Sequence, residues 1–168
     1  MKTKFICVTL FLFLFCSLSS LKAQDYNNAV GLRLAWGYGL TGKFFLNERA
    51  AIEGILNYRS YGVPGFKYNY LRVTGLYEIH NDISSIDGLR WYYGGGAFVG
   101  FYGGDWDDYY TGNESSTYIG LAGVLGLDYK FESVPINLSV DWIPSFVITG
   151  YGNGFTAENG GLAVRFTF

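Results

Sequence analysis

The last eight residues of the chain, 161–168, alternate apolar side chains with small or polar ones. Successive side chains of a β-strand point to opposite faces, so this alternation predicts a strand with one apolar face and one charged face. The apolar face consists of Leu162, Val164, Phe166 and Phe168, while the other face carries Arg165. Because the same pattern recurs from residue 29 onward, we predict an all-β protein.

Eight segments of the sequence carry this alternation, and turn residues separate them. They span residues 29–38, 40–46, 50–61, 69–79, 89–102, 117–131, 136–149 and 161–168. Pro144 interrupts the seventh segment and cannot donate a ladder hydrogen bond, so we expect a bulge or an early end to pairing near residues 143–144. Abundant glycine, tyrosine and phenylalanine (24, 15 and 14 residues) suit a fold of this kind.

The connections between these segments alternate in length. Short polar turns are predicted at residues 47–49, 82–88 and 132–135, and longer loops at 62–68, 103–116 and 151–160. The first loop, at residues 37–42, departs from this pattern because it is short, and the segment 40–46 is short for a spanning strand, so we expect that strand to begin nearer residue 38. Short turns at one end and long loops at the other are typical of membrane barrels with an even number of strands. We therefore predict an eight-stranded antiparallel transmembrane up-and-down β-barrel with short periplasmic turns and longer extracellular loops.

The N-terminal residues 1–23 have the features of a cleaved signal peptide. A lysine-containing start precedes an apolar run at residues 5–15, and small residues lead to a cleavage site before Gln24. An uncleaved anchor is the alternative, although the apolar stretch is at the short limit for a spanning helix. A lipoprotein site at Cys16 is disfavoured because bulky residues precede it. Residues 24–168 are then predicted to form one barrel domain.

Removal of residues 1–23 would change the charge and the cysteine content of the chain. Both cysteines lie in that segment, so the mature protein would contain no thiol that could form a disulfide. Nine basic residues would remain against 14 acidic ones, a net charge of −5. An acidic chain of this kind argues against nucleic acid as a partner.

Alternation alone does not say which face of a barrel is inside. A soluble lipocalin-like barrel buries its apolar face, whereas a membrane barrel exposes that face to lipid. Three features favour the membrane: glycines share a face with the charges, aromatic residues lie near strand ends, and no charge lies on the apolar face. A basic residue on the lipid side would cost about 2–4 kcal/mol at the bilayer centre.

The second face then becomes a column of mixed charge inside the barrel. Its predicted members are Arg33, Glu53, Arg59, Arg72, Glu78, Arg90, Asp128, Asp141 and Arg165. Charges in a narrow interior need partners because an unpaired buried charge is costly. An eight-stranded barrel is only wide enough for its own side chains, so we interpret the column as a structural plug and keep an ion pathway as the alternative.

These features together resemble a known family. The signal end at Ala23 and Gln24, the paired strands over residues 29–168 and the ending 162–168 are similar to small bacterial outer-membrane β-barrels. The resemblance extends to OmpX, to the barrel of OmpA and to the PorT-like barrel group of Bacteroidota. It implies a Gram-negative outer membrane, contact with outer-membrane lipid, and recognition of Phe166 and Phe168 by the barrel-assembly machinery. The resemblance does not specify an activity, and we predict no cofactor.

His80 is the only histidine of the chain and is the candidate for catalysis. Glu78 lies on the same strand face, and Ser84 and Ser85 follow it, so a Ser/His/Glu set like that of barrel lipid A deacylases is conceivable. Such chemistry would belong in the outer leaflet, whereas His80 is predicted at the periplasmic end. We therefore interpret His80 as a histidine at the barrel rim and predict no catalytic residue.

The loop at residues 103–116 is the most distinctive outward segment. It contains Asp105, Trp106, Asp107, Asp108, Tyr109 and Tyr110. Its carboxylates could hold Ca²⁺, but the loop fails the EF-hand template and we predict no metal site. Tyrosine and tryptophan are efficient contact residues, which makes a recognition surface for an extracellular ligand or protein the functional interpretation. A solvated, variable loop is the alternative.

The sequence thus favours a non-catalytic outer-membrane barrel that acts structurally or through its extracellular loops. A narrow channel or transporter for small solutes is the second hypothesis. A lipid A-modifying enzyme is the third.

Overall fold

A computed structural model describes residues 26–63, 66–104, 117–150, 154–157 and 159–168. They form ten β-strands: β1 (Asn28–Ala35), β2 (Gly37–Phe45), β3 (Ala50–Val63), β4 (Phe66–Asp82), β5 (Leu89–Gly104), β6 (Thr117–Lys130), β7 (Ile136–Trp142), β8 (Ser145–Thr149), β9 (Gly154–Thr156) and β10 (Gly160–Thr167). In these ranges no helix is long and apolar enough to cross a membrane. The predicted signal peptide, residues 1–23, lies outside the described residues.

The strands form one closed antiparallel ladder. Each strand from β1 to β6 pairs with the next, and β10 pairs with both β7 and β1, which closes the ring. β7 and β8 lie end to end against β6, and β9 and β10 lie end to end against them. β7 and β8 share one position in the wall of the barrel, and β9 and β10 share another. The ten segments therefore make an eight-stranded barrel. The predicted eight-stranded antiparallel up-and-down barrel is confirmed.

Pro144 separates β7 from β8 without shifting the ladder. Trp142 pairs with Leu125 and Ser145 with Ala122, so the register is the same on both sides of the proline. Gly123 donates its N–H to the Pro144 carbonyl at 2.8 Å. The proline therefore ends regular pairing locally, as the sequence predicts. The register shift on this side of β6 occurs further along, between Ile119 and Gly120.

The two ends of the barrel differ from the prediction in their details. β1 and β2 are joined by Trp36 alone, with Gly37 at a φ of 128° that favours glycine, so β2 starts earlier than residue 40. The predicted loop at residues 62–68 is mostly strand, because β3 and β4 stay paired up to Val63 and Phe66. Gly and Tyr are common in both loops and aromatic-rich strands, which made that boundary hard to predict. β9 likewise lies inside the predicted loop 151–160.

The outer face of the barrel is apolar. Exposed large side chains occur on every wall position, for example Leu32, Leu40, Ile52, Val73, Trp91, Leu121, Val140, Phe146 and Val164. Among the described side chains, no charged residue occupies an outward position within a strand. The outer surface therefore has the character of a protein core and requires an apolar environment.

The interior has two zones. Charged side chains fill the half next to the short turns, whereas an apolar cluster fills the half next to the long loops. The apolar zone contains Ile55, Leu76, Phe98, Tyr118, Ala122, Val124, Ile143 and Val147, with Tyr70 and Tyr102 packed against it. Cross-strand glycines make room for its rings. Phe98 lies opposite Gly120, and a Cβ on that glycine would come within 2.6 Å of the ring.

We expect Gly126→Ala to destabilise the barrel and Gly54→Ala to be neutral or slightly stabilising. A Cβ at Gly126 would come within 2.6 Å of the Tyr92 ring and 2.8 Å of Asp141, and such overpacking costs about 1–3 kcal/mol. Gly54 faces outward, and a Cβ there would meet nothing within 4 Å. Urea unfolding in detergent micelles, followed by tryptophan fluorescence, measures both. Equal midpoints for the two variants would contradict this account of the interior.

Candidate functional site

The centre of the charged zone is Lys43 on β2. Its Nζ lies 2.9 Å from Glu78 Oε2, 3.2 Å from Glu53 Oε2 and 3.8 Å from Asp128 Oδ1. These carboxylates project from β3, β4 and β6, and Glu53 is the direct cross-strand partner of Lys43. Lys43 is completely buried. One ammonium thus ties together the inner faces of four strands.

Arg165 on β10 connects this group to the other side of the barrel. Its Nη2 lies 2.5 Å from Glu53 Oε1, and its Nη1 donates to Ser139 Oγ at 2.7 Å and to Asn137 Oδ1 at 3.2 Å. Its Nε donates to Thr41 Oγ1 at 3.2 Å. The guanidinium therefore has a partner for each of its nitrogens, which is the condition for a tolerated buried charge.

Arg33 and Asp141 form a second, bidentate ion pair nearer the middle of the barrel. Arg33 Nη1 donates to Asp141 Oδ2 at 2.6 Å, and Nη2 contacts Oδ1. The Tyr92 hydroxyl also donates to Asp141 Oδ2, at 2.9 Å. Tyr92 in turn lies beneath Lys43, whose Nζ is 4.0 Å from the ring centroid. The two ion-pair groups are thus joined through one aromatic ring.

Three of the predicted arginines lie outside these two groups. Arg72 is buried in the apolar zone, where it stacks 3.7 Å from the Phe98 centroid and donates to Ser145 Oγ at 2.7 Å. Arg59 lies towards the loop end with its guanidinium 5.0 Å from the Trp36 ring. Arg90 lies at the turn end and pairs with Asp82 at 2.7 Å. The structure therefore separates Arg59 and Arg90 from the buried network.

The buried charges balance in the part of the chain that the structure describes. Arg33, Lys43, Arg72 and Arg165 are buried, and so are Glu53, Glu78, Asp128 and Asp141. Taking even one ion out of water costs several kcal/mol, so these groups persist only because each faces an opposite charge or, for Arg72, the hydroxyl acceptors of Thr74 and Ser145. Removal of one member of an ion pair would leave an uncompensated charge in the lumen.

His80 does not lie at the rim, contrary to the sequence interpretation. It is buried, its Nε2 lies 3.0 Å from Glu78 Oε2, and its ring stacks on Tyr92 with centroids 4.8 Å apart. Ser84 and Ser85 are exposed in the β4–β5 turn. Among the described residues, no serine hydrogen-bonds the imidazole. The imagined Ser/His/Glu set is therefore not assembled.

Sequence reasoning missed Lys43, Thr41, Tyr92 and the contact of Tyr26 with Asp128. Lys43 and Thr41 lie within the predicted segment 40–46 and alternate with outward residues in β2, a signal that could have placed both of them inside. Tyr92 lies on the same face as Arg90, a signal that could have placed it inside. Tyr26 precedes the first strand, and no pattern in the sequence indicates its position.

Two further predicted sites are the outward loop at residues 105–110 and the C-terminal phenylalanines. The aspartate- and tyrosine-containing loop, Asp105 to Tyr110, lies outside the described residues. No group of three or more His, Cys, Asp or Glu side chains that could hold a metal ion occurs in the described ranges. At the C-terminus, Phe166 is exposed on the outer face and stacks on Phe168 at 6.5 Å. The Phe168 N–H bonds the carbonyl of Asn28 at 2.9 Å, at the seam of the barrel.

Comparisons with known proteins agree on the architecture. No protein-family model and no curated protein sequence matches the chain. Neisserial surface protein A matches with a TM-score of 0.56 and 14% identity over 84% of this chain and 93% of that one. The N-terminal β-barrel domain of Pseudomonas aeruginosa OprF matches with a TM-score of 0.52 and 15% identity, over 88% and 100%. Yersinia pestis Ail in a phospholipid bilayer nanodisc matches with a TM-score of 0.50 and 15% identity, over 86% of this chain and 100% of that one. The chain has the fold of these small β-barrels.

Proposed function

We propose that this chain is an integral outer-membrane barrel without catalytic activity, which acts structurally or through its extracellular loops. The observation that carries the proposal is the apolar outer face, which bears no charge among the described side chains, around a closed ring of eight strands. In lipid every backbone polar group needs an internal partner, and a closed barrel satisfies this with strands. The fold shared with surface proteins and outer-membrane proteins supports the same location.

Export and assembly follow from the same proposal. Residues 1–23 act as a cleaved signal peptide, and Phe166 and Phe168 act as the C-terminal signal for the barrel-assembly machinery. Support comes from the outward position of Phe166 on the strand that closes the barrel. The turn end, where both described termini lie, faces the periplasm, and Asp105, Trp106, Asp107, Asp108, Tyr109 and Tyr110 belong to an extracellular recognition loop. Membership of the PorT-like barrel group remains a prediction.

The location is tested by fractionating cells that express the full chain. We expect the protein in the outer-membrane fraction, with faster electrophoretic mobility before boiling than after it, because a folded barrel resists detergent. Phe168→Ser should lower the folded fraction, since it removes the terminal aromatic residue, whereas Ser84→Ala in an exposed turn should not. A soluble protein whose mobility does not change on boiling would contradict the proposal.

The side chains that fill the barrel interior favour a structural plug over an ion pathway. On the turn side, ion pairs and hydrogen bonds link opposite walls through Lys43 and Arg165. On the loop side, stacked rings fill the lumen, with Tyr102 and Tyr118 centroids 4.9 Å apart and Tyr70 and Tyr118 6.0 Å apart. An ion would have to break paired charges and then cross an apolar layer. The charge network is therefore proposed to be structural.

Stability measurements test the plug. Asp141→Asn leaves Arg33 buried with a weakened partner, and breaking a buried ion pair costs about 3–5 kcal/mol. Asp87→Asn, in an exposed turn, is the matched control and should be neutral. The double variant Arg33→Met with Asp141→Leu should recover most of the loss, because no charge is left unpaired. Urea unfolding in lipid vesicles measures the unfolding midpoint of all three variants. A midpoint for Asp141→Asn equal to that of the control would contradict the structural plug.

Planar-bilayer recording separates the plug from the channel hypothesis. We expect no discrete openings from the unmodified protein, because both zones of the interior are filled. Openings of uniform size that Arg72→Ala abolishes would establish a pathway through the lumen and overturn the plug. Arg49→Ala is the control, since Arg49 is exposed in the β2–β3 turn.

A further inference from the structure

The turn-end mouth of the barrel is covered by the residues that precede β1. Tyr26 and Asn27 lie outside the strand, and the Asn27 carbonyl accepts a hydrogen bond from the Phe45 N–H at 2.8 Å. Asn28 then pairs with Phe168 through two backbone bonds of 3.1 and 2.9 Å. The segment is thus anchored beside the seam, in a position from which Tyr26 can turn its ring into the lumen.

Tyr26 occupies the lumen side of this segment. Its hydroxyl donates to Asp128 Oδ2 at 2.8 Å, and its ring meets Phe45 edge-on with centroids 5.1 Å apart. Phe45 lies against His80 at 4.8 Å, and His80 stacks on Tyr92 at 4.8 Å. A continuous column of four rings therefore runs from the mouth to the charge network.

The bond to Tyr26 has a specific electrostatic role. In the described part of the chain it is the one hydrogen bond that Asp128 accepts, because Oδ1 has only ion contacts of 3.8 Å with Lys43 and Arg165. Burial and the neighbouring Asp128 raise the pKa of Tyr26 well above its ordinary value, so the phenol stays protonated and remains a donor. Without the Tyr26 hydroxyl, the Asp128 carboxylate would need a water molecule at the mouth of the barrel as its hydrogen-bond donor.

A cleft of about 260 Å³ opens beside the ring at the same end. It is lined by Tyr26, Phe45, the β2–β3 turn and Arg90. The cleft gives the Tyr26 side chain a place to move without any change in β1 or its pairing. Among the residues that the structure describes, one side-chain hydrogen bond and one ring contact hold the Tyr26 side chain over the buried ion network.

We propose that Tyr26 is a movable stopper that closes the turn end of the lumen, and that its withdrawal admits water and small solutes to the Lys43–Asp128 charge network. The inference rests on the plugged interior proposed above and adds its regulation. The apolar zone still closes the loop end of the barrel when the Tyr26 side chain moves out of the lumen. Access is therefore one-sided, from the end that is periplasmic in the proposed topology.

Thiol labelling measures this access directly. Ser139→Cys places a thiol beside the network, because Ser139 is buried, pairs with Asp128 in register and accepts a bond from Arg165. Cys7→Ala and Cys16→Ala remove the other thiols from the full chain. The probe is a small, positively charged methanethiosulfonate, applied to folded protein in detergent micelles. Unboiled electrophoretic mobility verifies that each variant is folded.

We expect Tyr26→Ala to raise the labelling rate at least about tenfold, the change expected when a local opening loses a net hydrogen bond and a ring contact. Tyr26→Phe keeps the ring and should raise the rate less. It also serves as the test variant if Tyr26→Ala does not fold. Tyr38→Ala, on the outer face of β2, is the matched control and should leave the rate unchanged.

The outcomes separate the stopper from the plug. Slow labelling of the parent and equally slow labelling of both Tyr26 variants would overturn the stopper and leave the plug intact. If the parent labels as fast as a Ser84→Cys thiol in the exposed turn, the lumen is open and the plug fails as well. An increase of the same size in Tyr38→Ala would also overturn the stopper, because the effect would not depend on the mouth.

Discussion

Closure of the backbone ladder is the constraint on which the rest of the structure depends. Pairing of β1 with β10 closes the ring, so each of the eight positions in the barrel wall has a neighbour on both sides, although the short β9 is paired only with β8. Once the sheet is closed, alternate side chains must point either into a narrow lumen or out to the surroundings. The apolar exterior and the charged interior are two consequences of the same closure.

The narrow lumen then decides how the charges are arranged. Long side chains such as Lys43 and Arg165 each have a small cross-strand neighbour on one side, and they bridge walls that are distant in sequence. The aromatic rings follow the same rule, since Phe98 and Tyr92 lie across glycines on β6. Packing and electrostatics therefore cooperate: a well-filled interior excludes water, and that exclusion makes complete pairing of charges necessary.

Much of the fold was predictable from the sequence, and less of the site. Period-two alternation correctly predicted the strand number, the closed barrel and the interruption at Pro144. It failed at residues 62–68, because glycine and tyrosine occur both in loops and in aromatic strands. It misplaced His80, since position near a turn says nothing about whether a side chain enters the lumen. Lys43 was overlooked although the predicted segment 40–46 contains it, because the inward Phe45 and the glycine at position 42 weaken the apolar–polar alternation there.

The sequence by itself determined which residues share a face, because the alternation of a strand is a local property of the backbone. Tertiary structure alone decided which charges meet, since register and closure bring together β2, β3, β4, β6 and β10 from remote parts of the chain. The position of Tyr26 over Asp128, 102 residues away, belongs to this second class. No local preference specifies such a contact; it arises when the barrel closes and the segment before β1 is carried across its mouth.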